Sequence, residues 1–432
     1  MRIFAVFNRK APLLVAAAVI LPRLVVLFAE RSSILTAYTE KSDDFAQTFV
    51  ASGTFGFVPG VPSADTQPLY GWFLIPFYWI FGRQWLVVGL AQIALATVTA
   101  LLVYAIARRI VPRLAALAAI VATLNPYLIW HDVHVNREIC DQAVLAGLVL
   151  CVLVAIEKRS LAWTTLAGAL AGVAILGNSR LVALPLVLAA YAAWRLPRHQ
   201  RLLSALAIVL AAAVVVSPWV IRNKVQVGCF AITTDGRALW KANNVNTYGV
   251  LARGGWIDDV PPLPGAPQLT PEYEWDIYRL NHKIVSVNEC AQMTLYEHAT
   301  FKFWRKHPGE KVKLMGQAVQ LLWDPRAHET QGRSGAGTWR DAARRIGEPV
   351  YLIPIYILAI VGLFYAPVGF SVLALLLFGY NTAAAMLFAG TTRYRVPFDF
   401  LLVLLAAAAV DRLWSKWRYT RSTPSTAPSD EN

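Results

Sequence analysis

Charged residues are scarce in this chain. They make up 15% of its 432 residues, against about a quarter in an average soluble domain. Acids are the scarcer sign, with 26 Asp and Glu against 40 Lys and Arg. Too little charge is available to solvate a globule of this length, so a soluble domain is excluded. Cysteine is also sparse. The four residues, Cys140, Cys151, Cys229 and Cys290, have no metal-ligand spacing, which excludes a cysteine zinc site. No internal repeat is visible, which counts against transporters built from duplicated halves. No small-x-small cleavage pattern follows Phe28, so the basic start (Arg2, Arg9, Lys10) and apolar run that follows read as an uncleaved signal anchor.

Hydrophobic residues are abundant, at 57%, and they come in blocks. Leu13 to Phe28, Trp85 to Ala107 and Leu202 to Ile221 carry almost no charge, and about 20 such residues cross a bilayer as helix. The pattern predicts an all-α integral membrane protein, a polytopic bundle of about ten transmembrane helices. Spans are expected near residues 11–29, 85–107, 113–130, 138–157, 161–178, 180–195, 202–221, 349–366, 368–389 and 397–414. One set of connections is short and basic: Arg108, Arg109 and Arg113; Lys158 and Arg159; Arg195, Arg198 and Arg201. Both termini join that set, which should face the cytoplasm. The net charge of +14 is then explained by membrane flanks rather than by nucleic acid, which is not an expected partner.

The chain divides accordingly. Residues 1–221 form an N-terminal membrane module with a large outer first loop over 30–84. Residues 222–348 form a small outer domain of helices and loops, in which Tyr296 to Trp323 reads as a helix suited to the outer membrane surface. Residues 349–416 are C-terminal transmembrane helices, and 417–432 a disordered cytoplasmic tail. Cys229 and Cys290 both fall in the outer domain; pairing in an oxidising space and two free thiols are both open.

Charges at the mouths of spans are costly and mark function. Asp43 and Asp44 lie in the first outer loop. Arg137 and Glu138 begin the fourth span, Arg180 opens the sixth, Arg222 ends the seventh, and Arg393 and Arg395 precede the last. All are expected at the outer face, where the positive-inside tendency does not place arginines. One such arginine alone reads as a structural pair or headgroup contact. Several together suit a phosphate, which guanidinium grips through paired donors, and acids beside them suit a general base or a divalent cation. Arg23, inside the first span, calls for an acid partner or outward snorkelling. His131 and His134 near Glu138 could hold a metal, but polar interface residues are the plainer reading.

Four stretches resemble the C-type glycosyltransferases, specifically bacterial relatives of the protein O-mannosyltransferases and of the lipid A aminoarabinose transferase. They are Asp43-Asp44-Phe45 with Gly53 to Phe57, Gln67-Pro68-Leu69-Tyr70 and Phe81-Gly82; Asn178-Ser179-Arg180; Ser217-Pro218-Trp219 to Arg222-Asn223 with Thr233 to Gly236 and Leu239 to Asn244; and Arg393-Tyr394-Arg395-Val396-Pro397. The resemblance implies a hexosyl or pentosyl transferase, inverting, that draws on a polyprenyl-phosphate sugar donor at the outer face of a bacterial cytoplasmic membrane. It implies Asp44 or Asp43 as base and Arg222, Arg393, Arg395 and Arg180 as donor-phosphate ligands. Arg137, Glu138 and Lys241 are further candidates. Asp43 and Asp44 could share Mg or Mn with that phosphate. The acceptor, whether protein, glycolipid or polysaccharide, is left open. The alternatives are an O-antigen ligase or polymerase using a pyrophosphate-linked donor, a transporter or flippase for a lipid-linked sugar, and a membrane scaffold.

Overall fold

The computed structural model describes residues 2–36, 40–261, 263, 288–326 and 339–422. All regular structure among them is helical apart from one isolated bridge between Val58 and Val61. The helices that frame the site are α1 (Arg2–Ala29), α2 (Lys41–Ser52), α3 (Pro68–Phe81), α4 (Trp85–Ile110), α5 (Ala115–Thr123), α6 (Pro126–His131), α7 (Glu138–Lys158), α8 (Leu161–Gly177), α9 (Leu184–Arg195) and α10 (Arg198–Gln226). They continue with α11 (Gly236–Lys241), α12 (Thr247–Ala252), α13 (Glu289–Lys306), α14 (Pro308–Trp323), α15 (Trp339–Gly362), α16 (Val368–Leu387), α17 (Thr392–Arg395) and α18 (Asp399–Ser422).

Among the described residues, six stretches are long and apolar enough to cross a membrane: Lys10–Ala29, Trp85–Ile110, Glu138–Lys158, Arg198–Gln226, Arg345–Gly362 and Val368–Leu387. The chain is therefore a multi-pass helical membrane protein. The other expected spans differ in form. The run 113–130 breaks into α5 and α6 because Asn125 caps a new helix, its side chain accepting from Tyr127 N, with Pro126 at the first helical position. The run 161–178 gives the 17-residue α8, and 180–195 begins as a single 3-10 turn before the 12-residue α9. The last span is bounded as α18 and runs into the expected tail as far as Ser422; residues 423–432 lie outside those described.

The expected outer loop is not plain loop. It contains α2 and the apolar α3, whose Trp79 and Ile80 are 79% and 69% exposed. An apolar helix of 14 residues is too short to read as a span, yet its exposed aromatics suit a lipid interface. The expected helix over Tyr296 to Trp323 is two helices, α13 and α14, broken at His307 and Pro308.

Small residues let the bundle close. A Cβ on Gly168 of α8 would lie 2.5 Å from the Ile208 carbonyl of α10, and one on Gly172 would lie 2.8 Å from that of Ala212. This is a small-xxx-small contact, in which the missing side chains admit close backbone approach. Arg23 finds its acid: Nη2 and Nε donate to Asp132 Oδ2 at 2.7 and 2.9 Å, with Nη2 also on the Thr123 carbonyl. The predicted basic connections gather at one end, where Arg109 meets Glu157 and Arg113 donates to Ser415. Cys229 and Cys290 form a disulfide with Cα atoms 5.9 Å apart. It ties the start of α13 to the chain just beyond α10.

Candidate active site

The opposite end of the bundle collects the acids and arginines. Its floor is the start of α2, where Asp43 and Asp44 occupy the first turn, a position the helix dipole favours for acids. Their surroundings differ. Asp43 has no exposed surface; Tyr78 Oη donates to its Oδ1 at 2.5 Å, and Arg83 clamps it through Nε and Nη2, the latter 2.6 Å from Oδ2. Arg83 also donates to the Leu35 carbonyl. Asp43 thus fastens α2 to the end of α3 and to the chain after α1. Both of its oxygens are engaged, so a cation shared with Asp44 would have to displace Arg83 or Tyr78. Asp44 is 8% exposed and within electrostatic reach of Arg83.

Arg393, on the short α17, bridges two carboxylates, donating to Glu40 and to Glu138. Glu40 immediately precedes α2, and Glu138 opens α7. Arg137 lies 3.6 Å from Glu138 and donates to Gln67 Oε1 at 2.8 Å; Gln67 in turn donates to Ser179 Oγ at 2.9 Å. Residues from five separate segments are joined in this way.

Arg180 completes the group. The Asn178 side chain accepts from its backbone N–H and fixes the turn. Its guanidinium lies over the Tyr394 ring, 3.7 Å from the centroid. The side chain is only 9% exposed. Apart from Tyr394, its Nε, Nη1 and Nη2 meet no hydrogen-bond acceptor among the described residues, and no carboxylate pairs with it. Buried guanidinium without a counter-charge is costly, and the ring beneath recovers part of that cost.

Beside this group lies a second network. Lys41 Nζ is 2.7 Å from Asp65 and 3.2 Å from Asp235. Burial, together with the charges of Asp235 and Glu289, pushes Asp65 up to about 6 despite Lys41. Burial works in the same direction on Asp235, but Lys41 and Arg237 outweigh it and hold that carboxyl below its ordinary range. Glu289 accepts from Ala64 N and Thr234 Oγ1, so the disulfide-tethered start of α13 buttresses the first loop.

The structure therefore brings Arg137, Glu138, Arg180 and Arg393 together, with Asp43 and Asp44 on the α2 turn that begins just after Glu40. Three other candidates have different surroundings. Arg395 is fully buried on Asp399 at 3.1 Å and on the carbonyls of Leu322 and Asp324. Arg222 stacks on Trp219 and donates to the carbonyls of Ser63 and Phe55, holding the first loop against α10. Lys241 donates to the Asp258 carbonyl. His131 and His134 stack on Tyr127 and Trp130. Among the described residues no group of three or more His, Cys, Asp or Glu is arranged to hold a metal. Gln67 and Tyr394 fall in the stretches that carry the family resemblance but have no role assigned there, and Glu40 is a site residue that stands in none of them.

With this geometry in place, known proteins show similarities of sequence and of structure. The sequence profile of the dolichyl-phosphate-mannose-protein mannosyltransferases matches residues 63–221, which bears out the resemblance to C-type glycosyltransferases. Crystal structures of ArnT from Cupriavidus metallidurans are similar at 17% identity. The form bound to undecaprenyl phosphate aligns with a TM-score of 0.43, covering 95% of this chain and 81% of that one. The apo form aligns with a TM-score of 0.38, covering 92% and 78%. No curated protein matches the sequence significantly.

Proposed function

We propose that this protein transfers a sugar from a polyprenyl-phosphate-linked donor to an acceptor hydroxyl on the outer face of a bacterial cytoplasmic membrane, with both termini in the cytoplasm. The profile match over 63–221 supports the reaction class. One observation carries the assignment of the site. Arg180 is a buried guanidinium that has an aromatic platform but, among the described residues, no carboxylate, and a phosphate oxyanion would supply the missing charge. Arg137 and Arg393, already balanced by acids, flank it and bring further donors to the same anion.

In the proposed step Asp44 accepts the proton of the acceptor hydroxyl. The acceptor oxygen bonds to the anomeric carbon as the bond from that carbon to the phosphate oxygen breaks. The polyprenyl phosphate leaves as an anion and needs cations rather than a proton donor. Attack opposite the leaving group inverts the anomeric centre. Asp43, held by Arg83 and Tyr78, is a positioning residue that sets the α2 turn presenting Asp44.

The test is transfer of radiolabelled sugar from polyprenyl-phosphate donors in membranes carrying the wild-type chain, Asp44→Asn or Arg180→Gln. Loss of transfer in both variants, at wild-type abundance, is the expected result. Full transfer by either removes its role. Consumption of pyrophosphate-linked donors alone would replace this reading with the ligase one.

A further inference from the structure

The hairpin of α13 and α14 presents a surface that the transfer chemistry does not use. Its inner side is anchored at several points. Lys311 Nζ donates to the Met386 carbonyl at the end of α16, and Trp304 Nε1 donates to Asn243. Arg395 donates to the Leu322 and Asp324 carbonyls at the end of α14. Tyr296, Thr300 and Phe303 are buried on α13, as are Leu314, Ala318 and Leu322 on α14. A Cβ on Gly390 would lie 1.7 Å from the Ala318 carbonyl, so α14 sits directly on the chain leading to Arg393. The hairpin therefore stands at the same end as the candidate site.

Its outer side is unlike an ordinary solvated face. Leu295, His298, Phe301, Lys302 and Arg305 recur at helical spacing and are all exposed, as are Lys306, Val312 and Lys313. Phe301 and Val312 are 46% and 66% exposed. From His298 to Lys313 the sequence holds five Lys and Arg, of which only Lys311 is turned inward, and a single acid, Glu310, which pairs with Lys313. Apolar side chains beside a surplus of cations define a helix that lies in a lipid interface, with the rings in the acyl boundary and the long cationic chains reaching the headgroups. Of the hairpin's other acids, Glu289 is turned to Ala64 and Thr234 and Glu297 forms no ion pair with Lys302, Arg305 or Lys306 among the described residues, and anionic headgroups supply the complementary charge.

We infer that the outer face of this hairpin docks on anionic phospholipid headgroups of the leaflet that faces the candidate site. Zwitterionic lipid would satisfy the apolar residues but not Lys302, Arg305 and Lys306. The inference concerns membrane contact and does not depend on sugar transfer.

The full chain carrying Phe301→Cys, labelled with an environment-sensitive fluorophore under non-reducing conditions, tests it. The protein is reconstituted in vesicles of phosphatidylcholine alone or mixed with phosphatidylglycerol. The expected result is that phosphatidylglycerol protects the label from an aqueous quencher. Adding Lys302→Gln, Arg305→Gln and Lys306→Gln should weaken that lipid preference roughly tenfold or more. Unchanged thermal unfolding of the variant excludes misfolding as the cause. Equal quenching in both vesicles, or protection that survives the triple substitution, would overturn the inference. Protection by inorganic phosphate in pure phosphatidylcholine vesicles would also overturn it, pointing to a soluble anion instead of a lipid surface.

Discussion

Two buried arginines at the same end of the bundle have opposite surroundings. Arg395 sits on Asp399, four residues along the chain, and on two helix-end carbonyls. Arg180 sits on an aromatic ring and meets no acid among the described residues. The first arrangement is finished within the chain and contributes structure: it ties α14 to the start of α18. The second is unfinished, and a charge buried without its partner marks a place for an external anion. On the acid side, Asp43 is likewise finished within the chain, its two oxygens taken by Tyr78 and Arg83.

The sharpest break in that comparison comes from the acid pair. Asp44→Asn should lower transfer by about 10²- to 10⁴-fold with unchanged thermal stability, as expected for loss of a general base. Asp43→Asn leaves Arg83 facing a neutral group and should show its first effect as a lower unfolding temperature. Equal losses of activity at equal stability would remove the distinction between base and positioning residue. Next come the arginines. Arg395→Gln strands Asp399 and should cost about 3–5 kcal/mol of stability, read by thermal unfolding in detergent. Arg180→Gln removes an uncompensated charge, so stability should hold or rise while transfer falls about 100-fold. A destabilised Arg180→Gln protein would mean that the arginine is structural after all.

A smaller effect is expected at the tether between the outer segment and the bundle. Replacing Cys229 or Cys290 by Ser opens the bridge across a sequence separation of 61 residues. The loss should be about 2–4 kcal/mol. It should appear as early loosening of the Glu289 contacts to Ala64 and Thr234, detected by hydrogen exchange. Wild-type exchange in that region would show that the buttress holds without the bridge.

Much of this end of the molecule is legible in the sequence because charges at span mouths are rare and costly. Arg137, Glu138, Arg180 and Arg393 stand out on that ground alone, and the structure joins them. Glu40 does not stand out, since one glutamate in a polar stretch has no pattern. Arg222 points the other way. Its partners are backbone carbonyls more than 150 positions earlier, and no residue type announces a carbonyl. Arg395 and Asp399 stand at i, i+4 spacing, which suits a structural pair, while the same arginine falls in the Arg-Tyr-Arg-x-Pro stretch of the resemblance. The third expected span takes a broken form for a local reason: an apolar run looks continuous, but Asn125 and Pro126 stop one helix and start another.

The gentlest test of paired against unpaired cations uses pH at Lys311. This lysine donates to main-chain and amide carbonyls rather than to a carboxylate, and burial lowers it from 10.5 to about 8. The carbonyls favour its charged form, but they do not offset the burial. Between pH 8 and 10.5 the unfolded chain therefore holds more protons at this position than the folded one, so stability rises with pH through that window. Lys311 is only partly buried, and solvent screening reduces the gain to about 1 kcal/mol. Comparing unfolding temperatures at pH 7.5 and 10 with those of Lys311→Met isolates the effect, because other groups titrate equally in both proteins. A parallel pH dependence in the two would show that Lys311 keeps its ordinary proton affinity at the end of α16.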